Sequence, residues 1–172
     1  MKRVIFIILL LMFAKFGAKA QTRGYSDNAS GTFVVGLDSY FYGASGSLDF
    51  ELGGTTHQAS VSNGAVSVDG ELLPGENADT ETVIGLHDFT GNRVPELMVG
   101  RRTPNSVGAT VYSFKDKRWQ PVGQMLIQGA QEIRVFRQVV SVRRGGVLCS
   151  WTWHGNKFDY KASDGSPEPS LP

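Results

Sequence analysis

Apolar and polar residues alternate in short runs along most of the chain, and turn-forming residues separate the runs. A period of two at short spacing predicts β-strands; no long stretch carries the 3.6-residue period of a helix. Strands are expected near residues 32–37, 47–52, 56–62 and 65–69, and again near 82–88, 95–101, 107–114, 118–125, 132–143, 146–153 and 157–161. Asn63-Gly64 and Gly145-Gly146 each stand between two such runs. They predict hairpins, because a tight primed turn needs positive φ at both central residues, which Asn and Gly tolerate. Residues 122–134 are also compatible with a helical turn. The fold class that follows is all-β, either an antiparallel sandwich or open sheet, or a small propeller-like array of β-hairpins.

The two ends break this pattern. Lys2 and Arg3 precede ten uninterrupted apolar residues, Val4 to Phe13, and Ala18-Lys19-Ala20 offers small residues where a signal peptidase reads. Residues 1–20 are therefore expected to be a signal peptide that sends the chain to the periplasm or outside the cell. Ten apolar residues are too few to span a bilayer, which takes about 20. Residues 21–161 then form a single all-β domain. Residues 162–172, with three prolines and few apolar side chains, are expected to be a disordered tail.

An internal repeat lies in the second half. Tyr112-Ser-Phe114-Lys-Asp116-Lys-Arg118-Trp119 aligns without gaps on Trp151-Thr-Trp153-His-Gly155-Asn-Lys157-Phe158, at an offset of 39 residues. Each copy reads as a strand, a polar turn and a returning strand, with aromatics able to pack across the pair. A period near 40 fits a four-stranded propeller blade. Upstream of each copy stands a similar apolar core, Pro95-Glu96-Leu97-Met98-Val99 and Gln131-Glu132-Ile133-Arg134-Val135, at an offset of 36.

The stretch Leu86-His87-Asp88-Phe89-Thr90-Gly91-Asn92-Arg93-Val94-Pro95-Glu96-Leu97-Met98-Val99 resembles the signature of the FG-GAP and VCBS-type repeats of integrin-like β-propellers. It has their leading Asp, their alternating oxygen-bearing residues with Gly, and their Pro-acidic-Leu strand. The resemblance implies a loop that wraps Ca²⁺, with Asp88, Thr90, Asn92 and Glu96 at the ligand positions. Arg93 departs from the pattern at the place where a small residue would permit the turn. Calcium also takes six to eight oxygens, more than these four side chains supply singly. The other reading of the same residues is that Asp88, Thr90 and Asn92 cap the turn by accepting hydrogen bonds from backbone N–H groups.

Charge sharpens the picture. The whole chain holds 17 basic and 16 acidic residues. Without Lys2, Arg3, Lys15 and Lys19 the net charge becomes −3, which gives no general field for nucleic acid. That total hides an asymmetry. Residues 21–92 carry ten acids and one base, Arg23, whereas residues 93–172 carry twelve bases and six acids. Either the halves pack and the charges partly pair, or a bipolar surface steers a charged partner. Candidate partner-binding residues are Tyr40, Tyr42 and Trp119 among the aromatics and Arg101, Arg102, Arg143 and Arg144 among the cations.

Catalytic patterns do not appear. Gly43-Ala-Ser45-Gly46 lacks the spacing of a nucleophile elbow, no Gly-Lys pair marks a phosphate loop, and His57, His87 and His154 lack ligand-pair spacing. Asp49 and Glu51 share one strand face, as solvated carboxylates do. Cys149, the single cysteine, alternates with Val147, Trp151 and Trp153 and reads as a buried, inert thiol. The expectation is an exported, non-catalytic recognition module that binds a protein or glycan and needs no cofactor. The alternatives are a Ca²⁺-stabilised structural or adhesion module and a hydrolase of unrecognised type.

Overall fold

The computed structural model describes residues 32–74 and 81–170. The proposed signal peptide, Arg23, Glu76 and Asp79 lie outside them. Among the described residues, fourteen strands form three sheets in chain order, and none closes into a barrel. The first sheet is the meander β3 (Ser45–Leu52), β4 (Thr55–Ser62), β5 (Ala65–Val68) and β6 (Glu71–Leu72). The middle sheet is the meander β7 (Glu81–His87), β8 (Glu96–Thr103), β9 (Ser106–Lys115) and β10 (Arg118–Gln128). The third is β11 (Ile133–Phe136), β12 (Val139–Arg144), β13 (Val147–His154) and β14 (Lys157–Ala162). Two short N-terminal strands cover edges: β1 (Val34–Val35) runs parallel to β11, and β2 (Ser39–Tyr42) runs antiparallel to β7. Covering an edge in this way removes a row of unpaired backbone groups.

The three meanders stack face on face as three layers of an open, all-β fold. Two cores show it. Val83, Met98, Val107, Ala109, Val111 and Met125 of the middle sheet pack with Val135, Val140, Val142, Cys149 and Trp151 of the third. On the opposite face Ile84, Leu86, Leu97, Val99 and Tyr112 pack with Phe50, Ala59, Val61, Val66 and Val68 of the first. A strand buried on both faces has no reason to alternate. Hence Val83–Leu86 and Leu97–Val99 are continuous apolar runs, while β4 and β13 alternate.

Turn chemistry sets the registers. Asn63-Gly64 (φ 49° and 78°) and Gly145-Gly146 (φ 53° and 90°) adopt positive φ at both positions, as expected of primed hairpin turns. Asp116-Lys117 (φ 51° and 62°) does the same between β9 and β10 without a glycine. The offset-39 repeat is a true structural correspondence: Trp119 pairs with Phe114, and Phe158 with Trp153, in hairpins that end consecutive meanders. The offset-36 match is not. It lays β8, the second strand of its meander, on β11, the first of the next.

Four further points differ from the sequence reading. Residues 122–134 form no helical turn, because β10 continues to Gln128. The run 132–143 is two strands, split at Arg137 (φ 52°) and Gln138. Tyr40 and Tyr42 lie on a strand that closes onto Gly85, where a Cβ would stand 2.4 Å from Leu37 Cδ1 and 2.9 Å from Ser39 O. The segment expected to be a disordered tail runs on beside β14, and Glu168 accepts the Trp151 indole N–H at 2.6 Å.

Candidate functional site

The loop between β7 and β8 is built by its own side chains. Asp88 accepts from three backbone N–H groups: Gly91 (2.7 Å), Asn92 (3.1 Å) and Arg93 (2.8 Å). Asn92 Oδ1 accepts from Val94 N at 2.7 Å. Glu96 turns inward and is 1% exposed. Its carboxylate accepts from Phe89 N (2.9 Å), Thr90 N (3.2 Å) and the Thr90 hydroxyl (2.9 Å). Burial pushes the Glu96 carboxyl above its ordinary value, the Thr90 and Phe89 bonds oppose that, and the charge of Asp88 adds to it. Arg93 takes positive φ (67°), the conformation a small residue would adopt more readily.

The four residues matched to calcium positions therefore act as turn caps and as an internal anchor. They do not fit a cation cradle in this geometry. N–H groups converge on Asp88, Thr90 spends its hydroxyl as a donor to Glu96, and Asn92 is bound to Val94. No group of three or more His, Cys, Asp or Glu among the described residues is placed to hold a metal.

The same loop clamps the middle sheet to the third. Gln138 Nε2 donates to Thr90 O at 2.9 Å, and His87 Nε2 donates to Arg137 O at 2.8 Å. Because the carbonyl can only accept, Nε2 carries the proton. His87 Nδ1 faces Asp38 Oδ2 at 3.1 Å, out of line for a hydrogen bond. Gly91 makes the approach possible: a Cβ there would meet Gln138 Nε2 at 2.3 Å. At this junction lies a cleft of about 300 Å³. Thr90 and Asn92 enter it from the loop, Ser113, Lys115 and Val122 from β9 and β10, Gln138 from the β11–β12 turn, and Trp153 and Gly155 from the second repeat hairpin. The lining offers two amides, two hydroxyls, one ammonium and one indole, and no carboxylate, imidazole or thiol.

The other candidates fall elsewhere. Tyr40 is 42% exposed on β2, while Tyr42 packs edge-on against Phe33. Trp119 packs edge-on against Phe50 and His57 and tilted against Phe114, under the first sheet. Arg101 is half-buried and donates to Thr82 Oγ1 and Gly64 O; burial lowers its pKa. Arg102 pairs with Glu81 and lies over the Phe33 ring, so one charge pair does join the acidic and basic halves. Arg143 is exposed on β12 and Arg144 half-exposed beside it. These seven do not converge on one surface. His57, His87 and His154 lie on three different sheets, each beside its own aspartate, Asp69, Asp38 and Asp159. Cys149 is buried and receives the Tyr160 hydroxyl at 3.4 Å. Among the described residues no helix is long and apolar enough to cross a membrane.

Sequence reasoning singled out the loop and the Trp153 hairpin but missed Ser113, Lys115, Val122 and Gln138 as parts of the cleft. The offset-39 repeat was the available signal, since it aligns Lys115 with the polar turn of the second copy. Gln138 had none, as Arg137-Gln138 lacks turn chemistry. In comparisons with known proteins, no family model, curated protein or solved structure matches this chain.

Proposed function

We propose that the protein is an exported, non-catalytic recognition module that binds a protein or glycan, with a glycan favoured. The observation that carries the reading is the cleft lining. The Ser113 hydroxyl, the Asn92 amide N–H and the Gln138 carbonyl can match sugar hydroxyls as donors and acceptors, beside the buried Trp153 indole that closes one side of the cleft. Lys115 favours a ligand with anionic character. Export rests on the N-terminal segment, Lys2 to Ala20, and the resemblance to FG-GAP and VCBS-type repeats agrees with a binding role.

The test is an oligosaccharide array probed with the purified protein and with Lys115→Ala. The reading expects retention of a defined set of glycans, acidic ones foremost, and weaker retention by the variant. Equal retention by both proteins, or retention of no glycan, would count against it.

A further inference from the structure

The stack of three sheets ends in two open faces of opposite chemistry. On the first sheet, alternation turns Asp49, Glu51, Gln58 and the Ser47–Ser60–Ser67–Leu72 row away from the core. Residues 32–74 contain no Lys or Arg, so every charge on this sheet is negative. On the third sheet, Arg134, Arg143, Lys157 and Lys161 point outward, with Asp159 and the adjacent Glu132 as the opposing charges. Exposed large apolar residues follow the same geography. Val35 (44%), Phe136 (69%) and Leu148 (40%) lie on the outer face of the third sheet, and Leu72 (70%) on that of the first. Only Tyr40 and Val94 of that class lie elsewhere among the described residues.

We infer that these end faces are a docking pair for a second copy of this chain: the acidic outer face of one copy seats on the basic outer face of the next. The contact repeats the sheet-on-sheet packing that already joins the three meanders. Apolar side chains supply burial, and opposite charges set partner and orientation. Phe136 and Leu148 on one side and Leu72 on the other are apolar anchors within polar, hydroxyl-rich faces. Such a contact is heterologous. It gives a closed ring if the rotation closes, and a growing stack if it does not. Salt weakens the charge component.

Sedimentation velocity at low salt, across micromolar to tens-of-micromolar protein, tests the pairing. The wild type is expected to assemble beyond the monomer. Arg134→Glu/Arg143→Glu and, separately, Asp49→Lys/Glu51→Lys are each expected to run as monomers, because each variant meets its own kind with like charges. An equimolar mixture of the two variants is expected to assemble again. All four changes are at exposed positions, and far-UV circular dichroism with thermal melting checks that both variants fold. A monomeric wild type, assembly that survives either charge reversal, or a mixture that stays monomeric overturns the inference.

Discussion

Removing the Glu96 carboxylate tests how the Asp88 loop is held. Three donors end on it, and one of them, Phe89 N, is fully buried. A stranded buried donor costs about 1–3 kcal/mol, and the two half-buried Thr90 donors cost less because water can reach them. Adding the cavity left by a side chain that is 1% exposed, Glu96→Ala should cost about 3–5 kcal/mol. Glu96→Gln is a different perturbation. Its carbonyl can still accept from Phe89 N and Thr90 N, its amide can donate to the Thr90 oxygen, and no buried charge remains, so the cost should be about 1 kcal/mol or less. The pH dependence has a fixed sign. Because the carboxyl sits above its ordinary 4.5 when folded, the folded state holds its proton more tightly than the unfolded chain does. Its contribution is full below 4.5 and is lost as pH rises through the raised value. Wild type should therefore gain stability relative to the glutamine variant as pH falls from neutral. Urea melts of the three proteins at a series of pH values measure this. An alanine variant within about 1 kcal/mol of wild type, well below the cost of stranding those donors, would refute the anchoring role.

Other consequences follow from the same geometry. Millimolar Ca²⁺ should leave the melting temperature unchanged, because the loop oxygens are already bonded internally; a rise of several degrees, read by scanning fluorimetry, would contradict the placement of those bonds. Gly85→Ala should destabilise by about 1–3 kcal/mol, since its Cβ would meet Leu37 and the Ser39 carbonyl, and hydrogen exchange should show β2 loosened before the rest of the middle sheet. Asp69 is held below its ordinary 3.8 by the Gln58 N–H and then by His57. It stabilises above that value, and the effect is lost as pH falls through the lowered one, so Asp69→Ala should flatten the acid limb of the stability curve. Cys149 should react with a thiol reagent no faster than the chain opens, as stopped-flow labelling against unfolding rates would show.

Much of the fold was legible because each strand carries its own burial pattern. Alternation located β4, β9 and β13, and Asn63-Gly64 and Gly145-Gly146 named their own turns. What stayed hidden depends on contacts distant in sequence. β2, absent from the strands expected of the sequence, is placed by its closure onto Gly85. Arg137-Gln138 forms a tight turn that its side chains do not advertise. The Asp88 loop could be read two ways because the same oxygens suit a cation or a backbone N–H; the choice between them rests on where Glu96 points. The cleft was least legible. Its residues come from the loop, from two hairpins and from the β11–β12 turn, and only the stacking of the middle sheet on the third brings them together.

The recognition reading is tested most directly by nuclear magnetic resonance titration of the labelled protein with an array-selected oligosaccharide. The account predicts shifts concentrated on the Trp153 indole, the Asn92 and Gln138 amides and the Ser113–Lys115 backbone. It further predicts that Lys115→Ala weakens binding about tenfold, which is about 1.4 kcal/mol. Shifts confined to the outer sheet faces, or binding that Lys115→Ala leaves intact, would contradict it.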